Sequence, residues 1–105
     1  MQAKTFLESL PFKVKPEVME GLSTVFHFDL SGEEGCELTL QLINGQLQAL
    51  SGLVGEPKCI IRASGTDFMR LISKDLNPLA AILTGKIKVS NQGEMIKYAK
   101  IFGLL

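Results

Sequence analysis

Residues 58–90 read KCIIRASGTDFMRLISKDLNPLAAILTGKIKVS, and this stretch decides the fold. It begins with period two: Cys59, Ile61 and Ala63 fall on one face of a strand over residues 58–64, with Ile60 and Arg62 on the other. The period then becomes helical. Ser64 is placed to cap a helix, and Asp67, three residues on, can close a variant of the capping box and favour the helix dipole. Phe68, Leu71 and Ile72 form that helix's apolar stripe. Asn77-Pro78 restarts a helix, with Asn as cap and Pro in the first turn. Leu79, Ile82 and Leu83 are expected to point inward, and Gly85 can terminate the helix in the left-handed conformation. Residues 86–90 return to period two, with Ile87 and Val89 in and Lys86 and Lys88 out. Two short helices thus interrupt a sheet and lie against one of its faces.

The sequence on either side completes that sheet. Residues 24–30 alternate, with Phe26, Phe28 and Leu30 on one face and Val25, His27 and Asp29 on the other. Residues 31–35 form a polar, glycine-flanked turn. Cys36, Leu38, Leu40 and Leu42 then alternate with Glu37, Thr39 and Gln41. Asn44-Gly45 is a strong hairpin signal because both residues tolerate positive φ, and residues 46–50 return as an edge strand. At the N-terminus, Phe6, Leu7 and Leu10 form a helical stripe that Pro11 is expected to end. A second short helix is expected from residue 15 or 16 to residue 20, with Pro16 in its first turn and Gly21 at its end. From about Gly93 a final helix carries Met95, Tyr98, Ala99 and Phe102 on one face. The expectation is one domain over residues 1–105, of α+β class: a five-stranded mixed, mainly antiparallel sheet covered on one face by about five helices.

Composition narrows the function. Hydrophobic residues make up 46% of the chain and charged residues 21%, which argues against disorder. The longest apolar run covers residues 79–83, far short of the ~20 residues that span a bilayer, and residues 1–5 give no expectation of a secretory leader. The net charge of zero argues against nucleic acid as a partner. The halves differ, however: residues 1–52 hold three basic and seven acidic residues, and residues 53–105 hold eight basic and four acidic. The basic half suits transient contact with an anionic membrane surface or a phosphorylated ligand, beside the plainer reading of two ordinary charged faces. Cys36 and Cys59 fit no zinc spacing and fall on core-facing strand positions, so they are read as reduced thiols in a cytoplasmic setting. No glycine-rich phosphate loop, His-Glu-x-x-His or nucleophile-elbow pattern occurs, and no cofactor or metal is expected.

Ser64-Gly65-Thr66-Asp67-Phe68, Leu76-Asn77-Pro78-Leu79-Ala80-Ala81 and Gly85-Lys86-Ile87-Lys88-Val89, in that order, resemble the sterol carrier protein 2 family. Asn44-Gly45 stands where the family often has Asp-Gly, and the order of elements agrees over nearly the whole chain. Asn91-Gln92 departs from the family's usual Gly-Asp after the last strand. The ending Gly103-Leu104-Leu105 departs from the peroxisomal tripeptide of animal members, which again suggests the cytoplasm.

The resemblance implies an apolar tunnel between the sheet and its helices, and a non-catalytic lipid-binding or transfer protein. Its ligand would be a sterol, fatty acid, fatty acyl-CoA or similar lipid. On that reading Phe26, Phe28, Leu38, Leu40 and Leu42 supply the sheet wall. Phe68, Leu71, Ile72, Leu79, Ile82, Leu83, Met95, Tyr98 and Phe102 supply the helix wall. From periodicity alone the same residues simply fill a dry core. Met95 is placed at the tunnel rim and Tyr98 at its mouth, with the final helix as a movable lid hinged at Gly93. His27, the sole histidine, is out of phase with Phe26 and Phe28 and is expected on the second face. A sixteen-carbon chain gains about 13 kcal/mol gross at ~0.8 kcal/mol per methylene, against association costs of about 4–15 kcal/mol. That balance suits pick-up and release. The alternative is an interaction or accessory module that docks a partner or dimerises through the apolar groove. An enzyme acting on a small apolar substrate comes third.

Overall fold

The structure is a computed structural model that describes residues 2–103. Leu104 and Leu105, on which the terminal tripeptide reading rests, lie outside the described residues, as does Met1. The elements run in the order α1 (Ala3–Lys13), α2 (Pro16–Met19), β1 (Thr24–Ser31), β2 (Cys36–Ile43) and β3 (Gln46–Ser51). They continue with β4 (Cys59–Ser64), α3 (Gly65–Ile72), α4 (Pro78–Leu83), β5 (Ile87–Val89) and α5 (Gln92–Ala99). The five strands form one sheet in the order β3-β2-β1-β4-β5. Three of its pairings are antiparallel and one, β1 with β4, is parallel, so the sheet is mixed and mainly antiparallel as expected. The strand at residues 46–51 is an edge, as its weak alternation indicates.

The alternation sets which residues enter the core. Phe26, Phe28, Leu30, Leu38, Leu40, Leu42, Cys59 and Ile61 are all buried under the helices. Asn44 and Gly45 adopt φ of 49° and 80°, the positive values that their hairpin requires. Two of the expected caps form: the Ser64 hydroxyl accepts from the Asp67 amide at 2.9 Å, and Asn77 Oδ1 accepts from the Ala80 amide at 3.1 Å. Gly65 is required by close approach, because a Cβ there would run into the backbone of Glu34 and Gly35 in the β1–β2 turn.

Four expectations need correction. Pro11 does not end α1, which runs on to Lys13. Pro11 lies in the last turn, where its missing N–H costs one bond to Leu7, and the Val14 amide still closes on the Leu10 carbonyl at 2.9 Å. Leu79 and Leu83 do not point inward; they are 66% and 77% exposed. The short α4 instead turns Ala81 into the core, fully buried, where the helix packs against β5. Ile82 is half-buried. Gly93 is no hinge: Asn91 caps α5 by accepting from the Glu94 amide at 3.0 Å, which puts Gly93 inside the first turn. Cys36 is half-buried, at the margin of the core.

The second face of the sheet is partly covered as well. His27 lies there as expected, but buried, with Nε2 2.8 Å from the Val54 carbonyl oxygen. Thr39 donates to the Gly52 carbonyl at 2.8 Å and accepts from the Val54 amide at 3.0 Å. These two side chains fasten the connection between β3 and β4 across β1 and β2.

Candidate functional site

The helices meet the sheet through an arc of aromatic rings. Phe6 of α1 packs edge-on against Phe68 of α3, at 6.2 Å between centroids, and Phe68 against Phe28 at 5.7 Å. Phe28 stacks beside Phe26 at 6.1 Å, and Phe26 meets Tyr98 and Phe102 edge-on at 5.9 and 5.4 Å. The arc thus starts at the N-terminal helix, crosses the sheet and ends on the C-terminal segment. Edge-to-face geometry suits the quadrupoles of the rings.

The two ends of the arc meet in a surface groove. Phe6 and Phe102 are two of its walls. Leu10 and Lys13 of α1, Val14 and Lys15 of the connection, Val18 of α2 and residues 100–103 complete it, with a volume of about 480 Å³. That volume lies within the ~300–1,000 Å³ range of small-molecule sites. Each part has a local cause. The α1 stripe of Ala3, Phe6, Leu7 and Leu10 seats that helix on β2 and β3. Pro16 at the first turn of α2 turns the chain back, and Met19 anchors it in the core. Gly103, at φ 74°, turns the C-terminal segment beside Phe6.

Of the residues the sequence singles out for a tunnel, only Phe102 lines this groove. Phe26, Phe28, Leu38, Leu40, Leu42, Phe68, Leu71, Met95 and Tyr98 are buried in the core behind it, and Ile72 packs against them. Met95 is therefore in the core and not at a rim. Tyr98, only 1% exposed, is no mouth residue; its hydroxyl donates to the Ser23 carbonyl at 3.3 Å. Leu79 and Leu83 lie on the surface, away from both core and groove. Sequence reasoning missed the groove residues between Leu10 and Val18. They come from a helix end, a connection and a four-residue helix, where no period marks a wall.

The interior offers little acid–base chemistry. Thr24 donates to the Glu94 carboxylate at 2.6 Å, tying α5 to the start of β1. Burial pushes the Cys59 thiol up, the reverse of what activates a nucleophile, although a hydrogen bond with the Asn91 backbone opposes this in part. Burial also pushes up the Cys36 thiol and, with help from the Glu94 charge, the Tyr98 hydroxyl. Among the described residues no group of His, Cys, Asp and Glu is arranged to hold a metal ion.

A five-stranded mixed sheet under five helices, with an apolar groove and a buried aromatic interior, has the make-up of a lipid-binding domain. The chain belongs to the SCP-2 sterol transfer family, whose model matches residues 3–105. It is therefore a lipid-binding and transfer domain. It is 29% identical over 99 residues to hydroxysteroid dehydrogenase-like protein 2 of Xenopus tropicalis, a match that covers 92% of this chain and 23% of that protein. The chain thus spans about a quarter of that relative's length. Its fold resembles the sec-alkylsulfatase Pisa1 of a Pseudomonas species (TM-score 0.76, 18% identity), over 100% of this chain and 16% of that one. It also resembles palmitated SCP2L2 from Aedes aegypti (TM-score 0.71, 20% identity), over 97% and 95% of the two chains.

Proposed function

We propose that the domain carries one long-chain lipid, taken up at the groove between α1, α2 and the C-terminal segment, and performs no reaction on it. The observation that carries this reading is the join between groove and core: Phe6 and Phe102 belong to both. A ligand tail that displaces the C-terminal segment slightly reaches Phe26, Phe28 and Phe68, and behind them Leu38, Leu40, Leu42, Leu71 and Met95. These residues would then form the tunnel wall. The raised thiols and the fixed Thr24–Glu94 contact support holding over chemistry. Phe12, 91% exposed beside Lys13 at the end of α1, supports brief contact with an anionic membrane during loading. The unpaired thiols fit a cytoplasmic setting. Saturable 1:1 uptake of long-chain fatty acids or sterols by the purified protein tests the reading.

The second reading, an accessory module, is favoured by the relatives in which the matching segment is a minor part of a longer enzyme. Such a module would present a lipid to a partner or dock through the groove. A dimer that loses its self-association when Val18 is replaced by Asp would favour it.

A further inference from the structure

The face of the sheet turned away from the helices carries one row of charge. Glu37 of β2 stands opposite Asp29 of β1, Asp29 opposite Arg62 of β4, and Arg62 opposite Lys88 of β5. The four alternate along their strands with the core residues Leu38, Phe28, Ile61 and Ile87, so they share the outer face. The row reads acid, acid, base, base across four strands. Its middle pair is closed within the chain, with Arg62 Nε 3.4 Å from Asp29 Oδ2. Glu37 and Lys88, both exposed, stand about 14 Å apart at its two ends and enter no ion pair among the described residues.

We propose that this face docks a second copy of the chain, the two related by a two-fold axis that runs parallel to the strands between β1 and β4. The row is self-complementary. Turned over about that axis it meets its own reverse, so Glu37 of each copy faces Lys88 of the other, twice per dimer. A partner charged with one sign would meet attraction on one half of the row and repulsion on the other. The relief of the face follows the same pattern. On the acidic half the connection between β3 and β4 is raised over β1 and β2, where the Val54 backbone is fastened to His27 and Thr39. That connection presents Leu53 and Val54, which are 38% and 43% exposed. The basic half holds a depression of about 370 Å³, with Arg62, Lys86 and Lys88 among its walls. The same rotation sets the raised half of one copy over the hollow half of the other and covers the two apolar side chains. The groove between α1, α2 and the C-terminal segment lies on the helical side of the sheet, so both copies keep it open.

Sedimentation equilibrium tests this on the parent protein and on the E37K, K88E and E37K/K88E variants, each shown to be folded by circular dichroism. The parent is expected to form a dimer that weakens at high salt. Each single change sets like charges against one another at both contacts and is expected to weaken association about ten-fold or more. The double variant reverses every contact, keeps the parent's net charge, and is expected to return to within about three-fold of the parent. E17K, the same change of charge placed on α2, and V18D, in the groove, are expected to leave the dimer intact. A parent that stays monomeric at every concentration overturns the proposal. So does a dimer indifferent to both single changes, a double variant as weak as the singles, or a dimer lost in V18D, which would use the groove instead. None of these outcomes bears on lipid carriage, which is read by uptake.

Discussion

The Phe102 ring meets the Phe26 ring edge-on, with centroids 5.4 Å apart and planes at 88°. Phe102 lies beyond the last turn of α5, and Phe26 lies on the central strand, so this contact pins the segment after α5 to the middle of the sheet. Both side chains are fully buried. Phe102→Ala is expected to cost about 3–5 kcal/mol, as large-to-small changes of a buried Phe do. Urea denaturation of the variant checks it, and a loss below about 1 kcal/mol would mean that the C-terminal segment is not docked.

Opening of that segment can be followed by hydrogen exchange. Tyr98, Ala99 and Phe102 hold α5 by packing, and the Thr24–Glu94 and Tyr98–Ser23 bonds tie it to the start of β1. The amides of residues 96–102 are still expected to exchange faster than those of β2, because the helix is short and its local opening gives up few contacts. Added lipid should slow them. Protection equal to that of β2, and unchanged by lipid, would move the entrance away from α5.

Gly65→Ala is expected to destabilise by about 1–3 kcal/mol, in the range of overpacking. The added Cβ has to displace the backbone of Glu34 and Gly35, which no side-chain rotation relieves. In contrast, Leu83→Gln is expected to change stability by less than about 0.5 kcal/mol, because Leu83 is exposed. A large loss from Leu83→Gln, with none from a bulky residue at Ala81, would show that α4 has the opposite phase. Thermal or urea melts of the variants read both.

These contrasts also mark what the sequence makes legible. Strand phase is clear because alternation leaves only two choices, and β1, β2 and β4 each carry three or more apolar residues on one face. Ser64 and Asn77 are clear because an N-cap acts through its own side chain. The phase of α4 is not, since six residues include Leu79, Ala81, Ile82 and Leu83, and periodicity over so short a span favours the larger side chains. Packing against β5 favours the smallest. The groove is illegible for another reason. Its walls come from residues 6–18 and 100–103, brought together by the fold, and of the expected tunnel residues it uses only Phe102.

Cys36 and Cys59 are expected to yield two free thiols under non-reducing, denaturing mass analysis. Cys36 pairs with Leu30 and Cys59 with Phe26, on opposite sides of β1. Four residues along a strand and two strand spacings across separate them by well over the ~7 Å Cα limit for a disulfide. Alkylation of the native protein should reach Cys36 before the buried Cys59. Both thiols titrate above their ordinary value of 9.0, chiefly because burial disfavours the thiolate. The unfolded chain therefore releases these protons first. Their contribution to stability is intact below pH 9.0 and is lost as pH rises above it. Denaturation midpoints that rose between pH 8 and pH 10 would contradict this sign.

Carriage of a lipid is tested most directly by native mass spectrometry of the purified, folded protein after incubation with long-chain fatty acids, sterols and phospholipids in turn. The expected spectrum shows a single added mass per chain for at least one lipid class. It saturates at one equivalent and is weakened when Phe6 and Phe102, the shared walls of groove and core, are both replaced by Leu. Folded protein that takes up none of these lipids at any concentration would contradict lipid carriage outright.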